Sequence, residues 1–143
     1  MSTGMRKLHL TVVSQERKLL EEEVMSVTAV TSEGEVTILP GHIPLVSKLT
    51  TGELTYVTAD GHQSIIISKG FMTVAPNNVI TVMADTAVDA REISEEAAQA
   101  AIKAAHETLK ISEDQRERLL AEASLRRALL EIKIAERSRR NRL

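Results

Sequence analysis

The 143-residue chain has no cysteine and no tryptophan, and Tyr56 and Phe71 are its only tyrosine and phenylalanine. Without cysteine it can form no disulfide, no thiolate zinc site and no cysteine nucleophile, a composition that fits a reducing compartment. Two rings are too few for the stacking platform of a single-stranded nucleic-acid binder or for a large aromatic hot spot. No apolar run reaches the roughly 18 residues that a membrane-spanning helix needs. The opening "MSTGMRKLHL" has no apolar signal-peptide core, which predicts a soluble, unprocessed product. What is present is a 43% hydrophobic content drawn from Val, Ile, Leu, Met and Ala, enough for one ordinary domain or two small ones.

Net charge is −2, from 18 basic and 20 acidic residues, with the acidic excess in residues 1–86 and a slight basic excess after them. The chain ends in "RSRRNRL", where Arg137, Arg139, Arg140 and Arg142 have no acid among them. Such a cluster suits the negative pole of a helix dipole. Its functional alternative is contact with an acidic surface, protein or nucleic acid.

Two hydrophobic periods divide the chain. "LHLTVV", "VMSVTAV", "EVTIL", "PLVSKL", "GELTYVTA", "QSIIISKGFMTV" and "VITVMA" read as short strands. Asp60-Gly61 signals a tight hairpin in which both residues favour positive φ, and Asn77-Asn78 marks another turn. Gly70, inside an apolar strand, indicates a bulge or a close backbone approach. No helical stretch intervenes for a crossover, so the expected fold of residues 1–87 is an antiparallel β-sandwich or flattened barrel, and a parallel nucleotide-binding sheet is excluded. "ADTAVDARE" reads as the passage into a linker.

Residues 88–143 are expected to form an antiparallel α-helical hairpin. Residues 94–137 lack Gly and Pro and are rich in helix formers. Ser94 can cap the first helix, with Glu95 and Glu96 in its first turn. Ser112 followed by Gln115 reads as a capping box opening the second, leaving a short joint near Lys110. The first helix offers a methyl-lined stripe of Ala98, Ala101, Ala105 and Leu109, flanked by Ala97 and Ala104. The second offers two stripes, Leu119, Ala123, Leu130 and Ile134 against Leu125, Ala128, Ile132 and Ala135. One hairpin partner covers only one of them, so the other must face the β domain, another subunit, or each in turn.

The stretch "SEGEVTILPGHIPLV", residues 32–46, is the most specified loop in the chain, and His42 within it admits three readings: catalyst, metal ligand or docking residue. His9, His42, His62 and His106 show no helical zinc spacing, and there is no phosphate loop, nucleophile elbow or calcium-loop pattern. Asp85, Asp89 and Glu92 need no catalytic explanation so close to a helix start. An enzyme built on His42 would have no second catalytic group. The residues predict no catalytic, metal or cofactor site.

"SEGEVTILPGHIPLV", "PNNVITVMADTA" and the Ala-rich hairpin, in that order over nearly the whole chain, resemble the epsilon subunit of bacterial and plastid F-type ATP synthases, equivalent to mitochondrial delta. The Gly-x-x-x-x-Leu-Pro-Gly-His-x-Pro-Leu core from Gly34 to Leu45 is the specific part. The resemblance implies a non-catalytic rotor subunit of the central stalk that binds the gamma subunit, rests on the c-subunit ring and couples proton passage to ATP synthesis. It implies a peripheral place on the cytoplasmic side of a bacterial cell membrane, with the thylakoid a lesser alternative, and neither nucleic acid nor homo-oligomer as partner. Glu33, Gly34, Glu35 and His42 then match positions that meet the c ring. In the family the hairpin also reaches the alpha/beta catalytic head and obstructs ATP hydrolysis, which assigns Arg116, Arg118, Arg126 and Arg127 to an acidic segment of beta. Relatives that bind ATP carry Ile/Leu-Asp-x-x-Arg-Ala at the first helix. This chain reads Ile93-Ser94-Glu95-Glu96-Ala97-Ala98, lacking the acid and the arginine, which predicts little or no ATP binding and disfavours the alternative of an ATP-sensing regulatory module.

Overall fold

A computed structural model describes residues 6–141, the last four by backbone alone. It divides at Asp89/Ala90 into two compact units. The first contains eight strands: β1 (Leu8–Ser14), β2 (Lys18–Val24), β3 (Ser26–Thr31), β4 (Gly34–Ile38), β5 (Leu45–Leu49), β6 (Gly52–Thr58), β7 (Gly61–Ala75) and β8 (Val79–Asp89). Their order is β2-β1-β8-β7-β5-β3-β4, and β6 closes the sandwich by pairing with both β3 and β7. Alternation places Leu8, Leu10 and Val12 of β1, Met72 and Val74 of β7, and Ile80 and Val82 of β8 in one buried core with Tyr56. All ladders are antiparallel except β1 with β8, which run parallel from His9/Val79 to Ser14/Ala84.

Two hairpins share one construction. Thr31 and Thr58 each donate their hydroxyl to the carbonyl three residues on, Gly34 at 2.6 Å and Gly61 at 3.4 Å, and accept the amide of Glu33 or Asp60 at 3.1 Å. Gly34 and Gly61 take φ of 119° and 117°. Asp60 does not share the positive φ expected of it; Gly61 alone takes it in this turn. Of the two readings of Gly70, the structure shows the close approach and no bulge, because the β7–β8 register continues unshifted through it. Lys69 beside it has φ 69° and interrupts the pairing without shifting it, from Ser68/Thr86 to Gly70/Ala84, and a Cβ on Gly70 would lie 2.1 Å from the Met83 carbonyl oxygen. On its other edge β7 is shared by two partners, β6 before Ser68 and β5 from Gly70 on.

Two stretches differ from the sequence reading. β2, "KLLEEEV", is a strand although three consecutive glutamates break its alternation. It lies at the end of the sheet order, where charged side chains remain solvated and discourage pairing with other chains. β8 runs on through "DTAVD" to Asp89, so Asp85 and Asp89 belong to a strand and not to a linker.

In the second unit a 3₁₀ turn (Ala90–Glu92) precedes α1 (Glu95–Ile111) and α2 (Gln115–Asn141). Ser94 caps α1 as expected, accepting the Ala97 amide at 3.1 Å. Ser112 does not cap α2. It ends α1, donating its amide to the Thr108 carbonyl, and its hydroxyl bonds Glu117 at 2.5 Å. Asp114 caps α2 instead, accepting the Arg116 amide at 2.9 Å, because an ionised carboxylate suits the positive helix pole. Ala98 and Ala105 of α1 are buried, as are Ala121, Ala128 and Ile134 of α2. Leu119, Leu120 and Leu129 remain more than half exposed. Of the C-terminal arginines, the side chains of Arg139 and Arg140, and Arg142 altogether, lie outside the described residues.

Candidate functional site

The loop after β4 is a turn whose geometry is written in its residues. The His42 amide donates to the Leu39 carbonyl at 3.1 Å, with Pro40 at the position that needs φ near −65° and Gly41 at φ 88°. The His42 ring nitrogen Nδ1 donates to the Ile43 carbonyl at 2.7 Å, which fixes the ring and leaves Nε2 for a partner. The Gly41 amide is tied to the side chain of Asn78 in the β7–β8 turn.

Glu33, Gly34 and Glu35 are exposed at the opposite end of β4, on the β3–β4 hairpin. The strand between spans about 17 Å. The structure therefore brings Glu33, Gly34 and Glu35 together and sets His42 apart from them. No group of three or more His, Asp or Glu among the described residues is placed to hold a metal.

A second surface was invisible in the sequence. Among the described residues of the first unit, the large exposed apolar side chains are Leu39 and Ile43 in the loop after β4, Val46 on β5, Phe71 on β7, and Val79 and Met83 on β8. Register explains the grouping on the strands. Lys48 pairs Phe71, Phe71 pairs Met83 and Met83 pairs Val13, all on the outward side of the sheet. Phe71 is 51% exposed, Met83 53% and Val46 70%. A contiguous apolar patch on an otherwise well-packed unit marks a contact surface. Strand alternation alone does not show which face is inside, and here both faces carry apolar residues.

The patch has a charged rim. His9 of β1 lies on the same outward side, with Nε2 2.8 Å from Glu21 and Nδ1 3.1 Å from Glu23, both on β2. Lys18 Nζ reaches Glu21 at 2.7 Å. Hydrogen bonds that the ring donates to Glu23 and then to Glu21 raise the His9 pKa above 6.5. Those from Lys18 and then His9 lower that of Glu21.

On the hairpin, Arg116 and Arg126 are exposed, while Arg118 and Arg127 are partly covered. Arg118 is engaged inside the hairpin: its Nη1 donates to the carbonyls of Leu109 at 2.6 Å and Ser112 at 3.2 Å, capping the end of α1. The small alanines leave a groove of about 410 Å³ between the helices.

Residues 7–90 match the family model described as ATP synthase, Delta/Epsilon chain, beta-sandwich domain. The ATP synthase epsilon chain of Herpetosiphon aurantiacus is 42% identical over 135 residues, covering 94% of this chain and 98% of that one. That of Syntrophobacter fumaroxidans is 39% identical over 132 residues, covering 92% and 98%. Among solved structures, a chain in the cryo-EM structure of Euglena gracilis mitochondrial ATP synthase, OSCP/F1/c-ring in rotational state 1, superposes with a TM-score of 0.73 at 29% identity, over 96% of this chain and 86% of that one. A chain of the Tetrahymena thermophila mitochondrial central stalk and c-ring structure shares the fold, with a TM-score of 0.59 at 14% identity over 93% and 99%. Matched in sequence and architecture almost end to end, the chain belongs to the ATP synthase epsilon chain family, the non-catalytic central-stalk subunits homologous to mitochondrial delta.

Proposed function

We propose that the outward face around Phe71 and Met83 seats the gamma subunit, and that the Glu33–Glu35 hairpin tip rests on the c ring. The single observation that carries this is the gathering of exposed apolar side chains of β5, β7 and β8 into one patch, while the tip of the β3–β4 hairpin is polar and acidic. A long shaft subunit buries an apolar seat; polar loops of a membrane ring pair with carboxylates and open backbone. Gly34 has open space where a Cβ would stand, so a partner's backbone can come close there. His42, at the other end of β4, is a further contact of the stiff Pro40 loop, its free Nε2 offering one hydrogen bond. The subunit would then sit peripherally on the cytoplasmic side of a bacterial membrane. Met83→Asp should abolish co-purification with gamma while the isolated chain unfolds as before; unchanged gamma binding would refute the assignment of this face.

The hairpin is proposed to reach the catalytic head, with Arg116, Arg126 and Arg127 meeting acidic residues of beta. Leu119, Leu120 and Leu129 support this, since α2 keeps apolar surface that α1 does not cover. The test is ATP hydrolysis by reconstituted complex with the chain cut after Asp89, which keeps β8 whole. Hydrolysis should rise, and an unchanged rate rules out inhibition by the hairpin.

ATP binding is proposed to be weak or absent. Ser94 occupies the position of the signature's acid and is spent on capping α1. The interhelical groove is lined by alanines, Thr108, Leu120, Ser124 and one charged residue, Glu117, which repels a polyphosphate. Calorimetric titration should show no saturable heat; micromolar affinity would overturn this.

A further inference from the structure

His9 meets two carboxylates at once. Its register partner on β2 is Glu23, and Glu21 stands two residues away on the same side, so the two acids straddle the ring. Nε2 is 2.8 Å from Glu21 Oε2 and Nδ1 is 3.1 Å from Glu23 Oε1. An ionised carboxylate only accepts hydrogen bonds, and a neutral imidazole has one N–H and one lone pair. With a neutral ring, one of these contacts would set a lone pair against a carboxylate oxygen. Both contacts are satisfied only by the imidazolium.

The other groups around the ring do not replace its proton. Lys18 is bound to the far oxygen of Glu21. Lys7 lies two residues earlier, just before β1, and Glu22 alternates to the other side of β2. From β8, Val79 and Thr81 stand beside His9 and Thr11 and carry no charge.

We propose that His9 is a pH-operated clasp: as imidazolium it pins Glu21 and Glu23 and holds the edge strand β2 on β1, and loss of its proton to solvent releases Glu23 and leaves Glu21 to Lys18 alone at the rim of the apolar face. The same two hydrogen bonds raise its pKa above 6.5, which puts release on the alkaline side of that value. The consequence for binding rests on the reading of this face as the gamma seat. A freed carboxylate at the rim must be desolvated without its partner when the apolar face is covered, so affinity for gamma falls as pH rises.

The test uses the full chain and the variant E21Q/E23Q, with imidazole and amide NMR followed from about pH 5.5 to 9, the range in which histidine titrates. In the wild type His9 should titrate above 6.5, and exchange protection of amides 19–23, corrected for intrinsic rate, should fall across the same midpoint. In the variant the midpoint should drop and β2 protection should be flat. A wild-type His9 that titrates at or below 6.5, or β2 protection indifferent to its state, overturns the clasp. Gamma affinity, measured at both ends of the range, should weaken roughly three- to fivefold in the wild type and not in the variant. Equal affinity at both pH values, with Met83→Asp still abolishing binding, overturns the regulation and leaves the seat intact. Undiminished binding by Met83→Asp overturns the seat, and the NMR result still decides the clasp.

Discussion

The Gly41 amide donates to the side-chain oxygen of Asn78 at 2.7 Å, a bond between positions 37 residues apart that fastens the Pro40 turn to the β7–β8 turn. The Asn78 carbonyl accepts the His9 amide at 2.8 Å, so this one residue joins the loop, the hairpin and the first strand. Asn77 and Asn78 hold φ of 69° and 64°, a conformation that asparagine tolerates better than most residues. The loop that carries the exposed Leu39 and Ile43 is thereby tied to the turn that leads into Val79.

Asn78 thus has two separable roles, a backbone one and a side-chain one. Asn78→Gly keeps the positive φ and loses the bond to Gly41, and should cost about 1 kcal/mol. Asn78→Ala also strains the turn and should cost about 1–2 kcal/mol more. Urea unfolding of both variants checks the order, and equal losses would show that the backbone conformation is not what selects asparagine.

Gly70→Ala should be among the most damaging small substitutions in the chain. The added methyl meets the Met83 carbonyl oxygen at 2.1 Å and the Ala84 Cα at 2.8 Å, both backbone atoms that cannot swing aside. A loss of roughly 3 kcal/mol or more is expected. The measurement is the denaturation midpoint, with soluble yield as a first indication.

The His9 cluster gives the stability a defined pH window. Glu21 has a folded pKa below 4.5, so its contribution is present above that value and is lost as pH falls through the folded pKa. The His9 folded pKa is above 6.5, so its contribution is complete below 6.5 and is lost as pH rises through the folded pKa. The gap in unfolding midpoint between the wild type and His9→Gln should be widest between those two values and narrow on either side. A gap independent of pH would show that His9 acts by packing alone.

Arg118 should behave differently from the other arginines of α2. Removing it leaves the Leu109 and Ser112 carbonyls without their guanidinium donor, so Arg118→Ala should lower the stability of the hairpin by about 1–2 kcal/mol even without any partner. Arg116→Ala and Arg126→Ala, at exposed positions, should stay within about 0.5 kcal/mol of the wild type. Thermal unfolding of residues 90–143 within the full chain, followed by helical circular dichroism, separates the two classes. Loss of inhibition by Arg118→Ala would therefore not by itself place that residue against beta.

Much of the architecture is local and could be read along the chain. Alternating Leu8, Leu10 and Val12, glycines at turns, the Ser94 cap and the long Gly- and Pro-free stretch each act within a few residues, through sterics and short hydrogen bonds that the sequence carries with it. Gly70 was legible for the same reason: a glycine inside an apolar strand has few explanations.

What failed to show locally depended on who the neighbours are. β2 holds three glutamates because it is an edge, and only the sheet order makes it one. Ser112 and Asp114 compete for the start of α2, and the competition is decided by where α1 ends and by the pull of Glu117 on the Ser112 hydroxyl. The apolar face of Phe71, Met83 and Val46 and the pairing of His9 with Glu21 and Glu23 join residues from separate strands. The sequence by itself determined the two kinds of unit, the turns and the family motif, because these depend on near neighbours. Tertiary structure alone decided which apolar residues stay outside and which charges meet, because strand register and sheet order bring together groups that the chain keeps far apart.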